Sequence, residues 1–412
     1  MKSKLPKALH EIYSRPMLEY LLNTVKKTNI EKVILVLGYG AEQIEKRFKD
    51  CDFVCQEELL GSGNAVNTTK KYFQNFSGDI LVLHVDTPLL KSETINNLIK
   101  EHRENNCDAT ILTTKVDNPT GYGRILRNGN GDVVKIVEEG DADKYEEIID
   151  EINIGAYCFK KDVLFPLLDK IKMNEKKKEY YFTDIFDLLK KANKKIGSFV
   201  TKDSSEGSGV NSRIDLARAN EIIRKRVLNN IVASGVTIID PSTTYIDFET
   251  RIGTDTIIYP NTVIEKDVEI GKNCEIGPFA RLRPGTRLED NVHIGNFAEL
   301  VRTKVGANCK IKHMSYLGDA ILGKNINIGA GTITANYDGK NKYQTIIEDN
   351  AFIGVGSILI APVKIGKGAV VGAGSVVTKR HNVPDGKTVV GVPARIFKTK
   401  NKKSKIKNTY KK

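Results

Sequence analysis

The chain has 412 residues, 40% of them hydrophobic, and a formal charge of +13, which is too long for one ordinary core and apolar enough to bury two. Its first residues show no apolar leader, and no stretch approaches the roughly 18 apolar residues of a membrane span, so a soluble, cytoplasmic protein without a membrane partner is expected. Eight lysines and no acids lie between positions 398 and 412; without them the charge falls to +5, so that segment reads as a solvated, disordered tail, nucleic acid is not expected as a partner, and the body suits phosphorylated small molecules.

From the N-terminus, apolar runs at 33–37, 80–85 and 109–113 read as buried strands, and the patterns at 17–27 and 94–104 as helices. Alternating strand and helix predicts a layered, mostly parallel α/β domain over residues 1–211. The six cysteines (Cys51, Cys55, Cys107, Cys158, Cys274, Cys309) form no CxxC pair and have no histidine nearby, so they are expected to be reduced and packed. Positions 212–233 have helical spacing and no glycine, and read as a connecting helix.

Beyond it a repeat takes over. Aliphatic residues stand at Ile252, Ile258, Ile264, Ile270, Ile276, Leu282, Leu288, Ile294 and Leu300, each six apart, and again at Ile347, Ile353, Leu359, Ile365, Val371 and Val377. With about one residue in four or five being Ile, Leu or Val, nine successive hits have a chance on the order of one in 10^5 or less per frame. Glycine often follows the aliphatic position, as at Gly253, Gly271, Gly295 and Gly354, where a corner is expected to need unusual backbone angles close to the next coil. Period six with such corners means short strands around a prism, a parallel β-helix over 234–397 whose coils bury their apolar face only by stacking. The repeat slips between positions 300 and 347, where residues 332–342 read as a projecting loop; a break in a regular pattern is where function is often kept.

The motifs Leu5-Pro-Lys7, Gly61-Ser-Gly-Asn-Ala65, Val85-Asp-Thr-Pro-Leu89, Thr120-Gly-Tyr-Gly-Arg124, Glu151-Ile-Asn-Ile-Gly155, Gly209-Val-Asn-Ser-Arg213, Arg281-Leu-Arg-Pro-Gly285, His313-Met-Ser-Tyr-Leu-Gly318 and Ala335-Asn-Tyr-Asp-Gly339 are each weak alone. In this order the chain resembles the bifunctional bacterial N-acetylglucosamine-1-phosphate uridyltransferases and glucosamine-1-phosphate N-acetyltransferases. The resemblance implies a Rossmann-like α/β nucleotidyltransferase domain followed by a left-handed hexapeptide β-helix, assembled as a homotrimer. It implies acetylation of glucosamine-1-phosphate by acetyl-CoA, then coupling of N-acetylglucosamine-1-phosphate to UTP with Mg²⁺, giving UDP-N-acetylglucosamine.

Residue by residue, the resemblance makes His313 the general base that takes a proton from the attacking amine, a task for a group that titrates near neutrality. Read alone, His313 is as ordinary as any surface histidine; its place in the interrupted stretch, three residues from Tyr316, sets it apart. Arg283, Tyr316, Asn327 and Lys342 would hold the sugar phosphate, with arginine offering forked donors. Asn336 and Tyr337 would bracket the reacting group, and Ala330 and Ala373 would line the coenzyme A site. In the other domain Asp86 and Asn211 would hold Mg²⁺, whose hard six-coordinate shell suits oxygen ligands. Lys7 would contact phosphate, Gln56, Gly61 and Ser62 uracil, and Gly123, Glu138 and Asn153 the sugar.

Val301 followed by Arg302, Val355 and Gly391 depart from the family pattern and predict an altered grip on substrate. The family also opens with a strand and a loop Leu-Ala-Ala-Gly-x-Gly-Thr-Arg-Met, and this chain starts at that methionine. The resemblance therefore implies a first domain lacking a central strand and a phosphate cradle, with uridylyl transfer impaired. A start assigned at an internal methionine or a gene cut at a contig edge is the simplest explanation, and a degenerate domain the alternative. Two other functions fit parts of the pattern: a different sugar-1-phosphate nucleotidyltransferase whose β-helix serves another acceptor or assembly alone, and a non-enzymatic scaffold or nucleic-acid-binding protein using the lysine tail.

Overall fold

The structure, a computed structural model, describes residues 1–175 and 177–397; the lysine-rich segment predicted to be a disordered tail lies outside the described residues. Two compact units divide between Ile223 and Arg224, inside the helix Arg213–Ala233 that the sequence predicts over 212–233. No helix among the described residues is long and apolar enough to cross a membrane.

The first unit is built on a sheet ordered Ile196–Thr201, Ala109–Lys115, Glu151–Lys160, Arg124–Arg127, Val133–Val137, with Asp79–Leu83 also paired to Glu151–Lys160. The expectation of a mostly parallel sheet is corrected here. Only the pairing of Ile196–Thr201 with Ala109–Lys115 is parallel, whereas Glu151–Lys160 runs antiparallel to three neighbours. Alternation of strand and helix signals crossovers but is blind to a hairpin. Asn128 to Gly131 supply the turn residues that join Arg124–Arg127 to Val133–Val137 antiparallel.

A separate parallel pair, Ile34–Leu37 with Asp52–Cys55, stands apart from this sheet. Between Ile34–Leu37 and Asp79–Leu83 lies a cavity of about 1340 Å³, walled by Leu22, Leu35, Phe73 and Val82 and bordered by Lys7, Ser62 and Asp86. The runs at 33–37 and 80–85, predicted as buried strands, are for this reason mostly half-buried.

The sheet also carries an ion pair between a buried carboxylate and a half-buried arginine. Glu151, 7% exposed, accepts from Thr113 Oγ1 at 2.6 Å and from Arg127 Nε at 2.8 Å. Burial pushes the Glu151 carboxyl up, but the bonds from Arg127 and Thr113 outweigh it and hold it below its ordinary range.

The second unit is a left-handed parallel β-helix. Three sheets of ten, eight and seven short strands form its faces, and Leu282, Leu288, Ile294 and Leu300 point inward among one continuous core. A second inward position lies two residues earlier and takes small side chains: Thr256, Cys274, Ala280, Thr286, Ala298, Cys309, Ser357. Two cysteines are thereby accounted for as free, buried thiols, with burial pushing Cys309 up to about 11.

The corner glycines bear out the close approach to the next coil, while the unusual backbone angle is found at Gly277 (φ +102°) and not at those named above. Gly253, Gly271 and Gly295 have no left-handed backbone; a side chain there would run into the next coil, at 2.7 Å from the Gly271 carbonyl carbon for Gly253 and onto the Lys312 carbonyl for Gly295. The left-handed angles fall two residues later, mostly on Asn and Asp such as Asp255, Asn273, Asn291 and Asn308, which tolerate them best among non-glycine residues.

The slip after Leu300 proves not to interrupt the prism. Arg281 pairs with Glu299, eighteen residues on, but Glu299 with Tyr316 and Lys304 with Ile321, seventeen on. One corner in each of these coils is a residue shorter, and Val305, Ile311, Leu317, Leu322 and Ile328 keep the core filled. The loop predicted at 332–342 is also corrected. Ile333–Ala335 is a strand of the face, with Thr334 inward and bonded to Gly318 N at 2.8 Å and Gly318 O at 3.2 Å. A search for aliphatic residues alone overlooks a threonine that satisfies its hydroxyl. The projecting loop is 336–344, closed by the bridge between Tyr337 and Lys342.

Two outcomes are expected. Gly295→Ala forces the stacked coils apart and destabilises the second unit by about 1–3 kcal/mol, the cost of overpacking, read as a fall in its thermal unfolding temperature. Because the folded Glu151 carboxyl titrates below its unfolded value of 4.5, its contribution is present above that pH and lost as pH falls through the folded value. Between pH 5 and 3 the wild type should therefore lose more stability than Glu151→Gln, measured by urea unfolding.

Candidate functional site

In the first unit the predicted residues gather in three groups. Lys7, Asp86 and Asn211 meet at one atom: Lys7 Nζ donates to Asp86 Oδ2 at 2.7 Å and to Asn211 Oδ1 at 2.6 Å. Asp86 ends the segment after strand Asp79–Leu83, and its carbonyl accepts from Val210 N at 2.8 Å, which draws the Asn211 turn against it. Asp215 secures that turn by accepting from the backbone of Asn211 at 3.1 Å and of Ser212 at 2.8 Å. The two side-chain oxygens thus converge on one cationic centre, the donor set a hard divalent cation takes, with remaining positions left to phosphate and water. Among the described residues no cluster of three or more His, Cys, Asp or Glu has metal-holding geometry.

Gln56, Gly61 and Ser62 form the second group. Gln56 Nε2 donates to Gly61 O at 3.1 Å and Asn64 Oδ1 at 2.6 Å, and Ser62 Oγ accepts from Phe182 N at 3.1 Å. Gly61 has a φ of +94°, and a side chain on it would meet Tyr180 O at 2.8 Å, so this turn and the Tyr180 segment approach as closely as backbones can. Ser62 borders the same cavity as Lys7 and Asp86.

Gly123, Glu138 and Asn153 are the third group. A Cβ on Gly123 would lie 3.5 Å from Asn153 Cβ and 3.6 Å from Glu138 Oε2, and Asn153 N donates to Gly123 O at 2.8 Å. Thr183 Oγ1 fixes Glu138 at 2.8 Å, and Tyr157 Oη accepts from Asn153 Nδ2 at 2.7 Å. Burial pushes the Tyr157 phenol up, so it stays protonated. Tyr122, which the sequence reading passed over, links the first and third groups: it precedes Gly123 and flanks Gly209 beside Asn211.

In the second unit, register does the assembling. Asn296 pairs with His313, and Ile311, Ile328, Ile353, Val371 and Val389 pair in succession. The residues two further along therefore stack in one corner column: Asn296, His313, Ala330, Val355, Ala373, Gly391. Backbone bonds follow it down, from Met314 N to Asn296 O at 2.9 Å, Gly356 N to Ala330 O at 2.7 Å and Gly374 N to Val355 O at 2.8 Å. The neighbouring column changes character at the histidine. Above and beside it stand Phe279, Phe297 and Met314, 50–61% exposed, the two rings stacked at 5.2 Å; below it stand Gly331, Gly356 and Gly374. The edge beneath His313 consequently carries only Ala, Val and Gly, with Val355 54% exposed.

His313 Nδ1 lies 2.8 Å from Asn296 Oδ1. An amide oxygen only accepts, so this contact sets Nδ1 as the protonated nitrogen and leaves the Nε2 lone pair outward. Asn296 was absent from the sequence reading, although counting two past Ile294 puts it in the phase of His313.

Around the corner, Tyr316 and Asn336 meet over Gly318: a Cβ there would lie 2.7 Å from both Tyr316 Oη and Asn336 Nδ2. Asn336 also donates to Asp319, which accepts from Arg302 Nε at 2.6 Å and Nη2 at 2.8 Å. Those Arg302 bonds, helped by Asn336 and the Lys342 charge, hold the Asp319 carboxyl below its ordinary range. Val301 is buried at 3% exposure, so it reaches no ligand, and Arg302 is engaged by Asp319. Arg283 Nη1 donates to Glu299 Oε1 at 2.9 Å on the face that carries Tyr316. Asn327 stands apart on the adjoining face, in line with Lys310 and Phe352, and Tyr337, 60% exposed, lies on the projecting loop. One chain therefore unites Tyr316, Asn336, Asp319 and Lys342, and separately His313 with Ala330 and Ala373, but not Asn327 with Arg283.

The His313 geometry predicts its ring spectrum. Long-range ¹⁵N–¹H correlations of the neutral ring should show the Nδ1–H form in the wild type and a shift toward Nε2–H in Asn296→Ala; identical patterns would exclude the bond.

Comparison with known proteins follows the same division. The nucleotidyl transferase family matches residues 2–217. Bacterial transferase hexapeptide repeats match 249–284 and 267–302, and the hexapeptide repeat of succinyl-transferase matches 344–379. Similar along nearly the whole length are the "Bifunctional protein GlmU" of Geobacillus sp. (strain WCH70), 44% identical over 93% of this chain and 91% of its own, and that of Clostridioides difficile (strain 630), 39% identical over 97% and 94%.

Proposed function

This chain belongs to the GlmU family of bifunctional enzymes, and from that premise we propose how its residues divide the two reactions. It is an acetyltransferase and a uridylyltransferase of UDP-N-acetylglucosamine synthesis, with small sugar phosphates and nucleotides as substrates.

In the acetyl-transfer step the neutral amine of glucosamine-1-phosphate attacks the thioester carbonyl of acetyl-CoA. A tetrahedral intermediate forms, the C–S bond breaks, and coenzyme A leaves as its thiolate. His313 Nε2 takes the proton the amine loses and returns it to the thiolate. The observation that carries this reading is the corner column: the histidine whose tautomer Asn296 sets stands directly above Ala330, Val355 and Ala373, a row without charged or bulky polar side chains along which a long, slender coenzyme arm can lie. Tyr316, Asn336 and Tyr337 lie around the acetyl group, while Arg283 and Lys342 supply positive charge for the sugar phosphate.

The homotrimer is part of the proposal. Asn327 sits on a different face from Arg283 and Tyr316, so a second copy must bring one set to the other, and Phe279, Phe297 and Met314 offer an exposed apolar ridge for that contact.

In the other half an oxygen of N-acetylglucosamine-1-phosphate attacks the α-phosphorus of UTP and pyrophosphate leaves. Gly123, Glu138 and Asn153 hold the sugar, Gln56, Gly61 and Ser62 the base, and Lys7 the phosphates. Asp86 and Asn211 would hold Mg²⁺, which neutralises charge on the triphosphate when bound. Acetyl-CoA and UTP are soluble metabolites, and the cytoplasm is the proposed compartment.

One observation favours a second reading of the acceptor. With Val301 buried and Arg302 held by Asp319, the sugar-phosphate pocket has fewer free cations, so an amino sugar phosphate other than glucosamine-1-phosphate enters the comparison. Acetyl transfer should fall about 10²–10⁴-fold in His313→Ala, the usual worth of a general base, with unfolding temperature unchanged and glucosamine-1-phosphate the best acceptor tested. Full activity in the variant would remove His313 as the base, and a better acceptor would replace the substrate.

A further inference from the structure

Lys7, Asp86 and Asn211 come from distant stretches of the chain, yet two oxygens converge on the single Lys7 nitrogen, at 2.7 and 2.6 Å. An ammonium has three donors, and here two are spent on the oxygens assigned above to a divalent cation. The side chains of Lys7 and Asp86 are 33% and 27% exposed, so the ammonium can leave for solvent without disturbing packing. A cation bound to the same oxygens would stand within a few ångströms of Nζ, where like charges repel, and Nζ itself fills the point of convergence.

We propose that Lys7 is an internal competitor of the divalent cation: its ammonium keeps Asp86 and Asn211 converged and must withdraw before the cation can bind them. This rests on the assignment of Asp86 and Asn211 to the metal. Withdrawal leaves Lys7 with an unpaired charge on a flexible stem, and the triphosphate is the partner that restores its bonds. The cation alone therefore binds against a competitor, whereas cation and nucleotide together relieve the competition. Binding of either favours the other by the same factor.

The test titrates Mn²⁺ without nucleotide into the full chain, counting free ion by electron paramagnetic resonance. Expected is binding roughly two- to fivefold tighter in Lys7→Met than in the wild type, the worth of one partly exposed charge pair. Lys7→Arg keeps the charge and should bind close to wild type, and Asp86→Asn should lose the site. In wild-type ¹⁵N-lysine spectra, the ammonium signal absent from Lys7→Met should shift on adding Mg²⁺. Equal or weaker binding in Lys7→Met, with Asp86→Asn still losing the site, overturns the competition. Wild-type affinity in Asp86→Asn overturns instead the metal assignment beneath it. Circular dichroism checks each variant, and Lys7→Gln stands in should Lys7→Met misfold.

Discussion

In the second unit everything follows from the spacing of one β-strand on the next, about 4.8 Å, imposed on every coil at once. No side chain can grow toward the neighbouring coil where Gly253, Gly271 and Gly295 lie. Each corner must turn within two residues, which forces left-handed backbone on Asn273, Asn291 and Asn308. Because every coil repeats the one before, like positions stack. Stacking converts Asn308, Asn325 and Asn350 into a ladder of side-chain bonds at 3.1 and 3.2 Å, and it aligns Asn296, His313 and Ala330 though they lie seventeen residues apart. The histidine is oriented by the same rule that builds the scaffold.

The first unit follows a different logic. Its predicted residues are set by turns and segment ends, and each group is tied by a few polar contacts: Asn211 by the Asp215 cap, Glu138 by Thr183, Gln56 by Asn64. Lys7, Ser62 and Asp86 border the open cavity beside Ile34–Leu37, so less of this candidate site is fixed by packing than in the β-helix. The local charge balance is nonetheless complete, since every cation or carboxylate of the Lys7, Asp86 and Asn211 group already has a partner.

What could be read in the sequence tracks where the physics is periodic. Nine aliphatic residues at period six reveal the prism because each must enter one core, and the helices Met17–Val25 and Ser92–Glu104 show themselves by spacing. The continuation of the prism past Leu300 was hidden because two corners are one residue short and Thr334 does an aliphatic residue's work. Strand direction in the first unit was hidden because hairpin and crossover leave similar apolar runs. Most candidate residues came from motif resemblance; their supporting partners Asn296 and Asp319 did not, because a hydrogen bond between positions seventeen residues apart leaves no mark on local pattern.

The loop 336–344 rises from a corner without altering the strands above and below it: Ile333 pairs Ile358 and Thr345 pairs Val363 as though nothing had been inserted. A corner is thus a point where length can change freely while the scaffold's register is conserved. In evolutionary terms such a prism works as a rack with interchangeable fittings, and one corner can gain or lose length while the column of Asn296, His313, Ala330 and Ala373 stays intact.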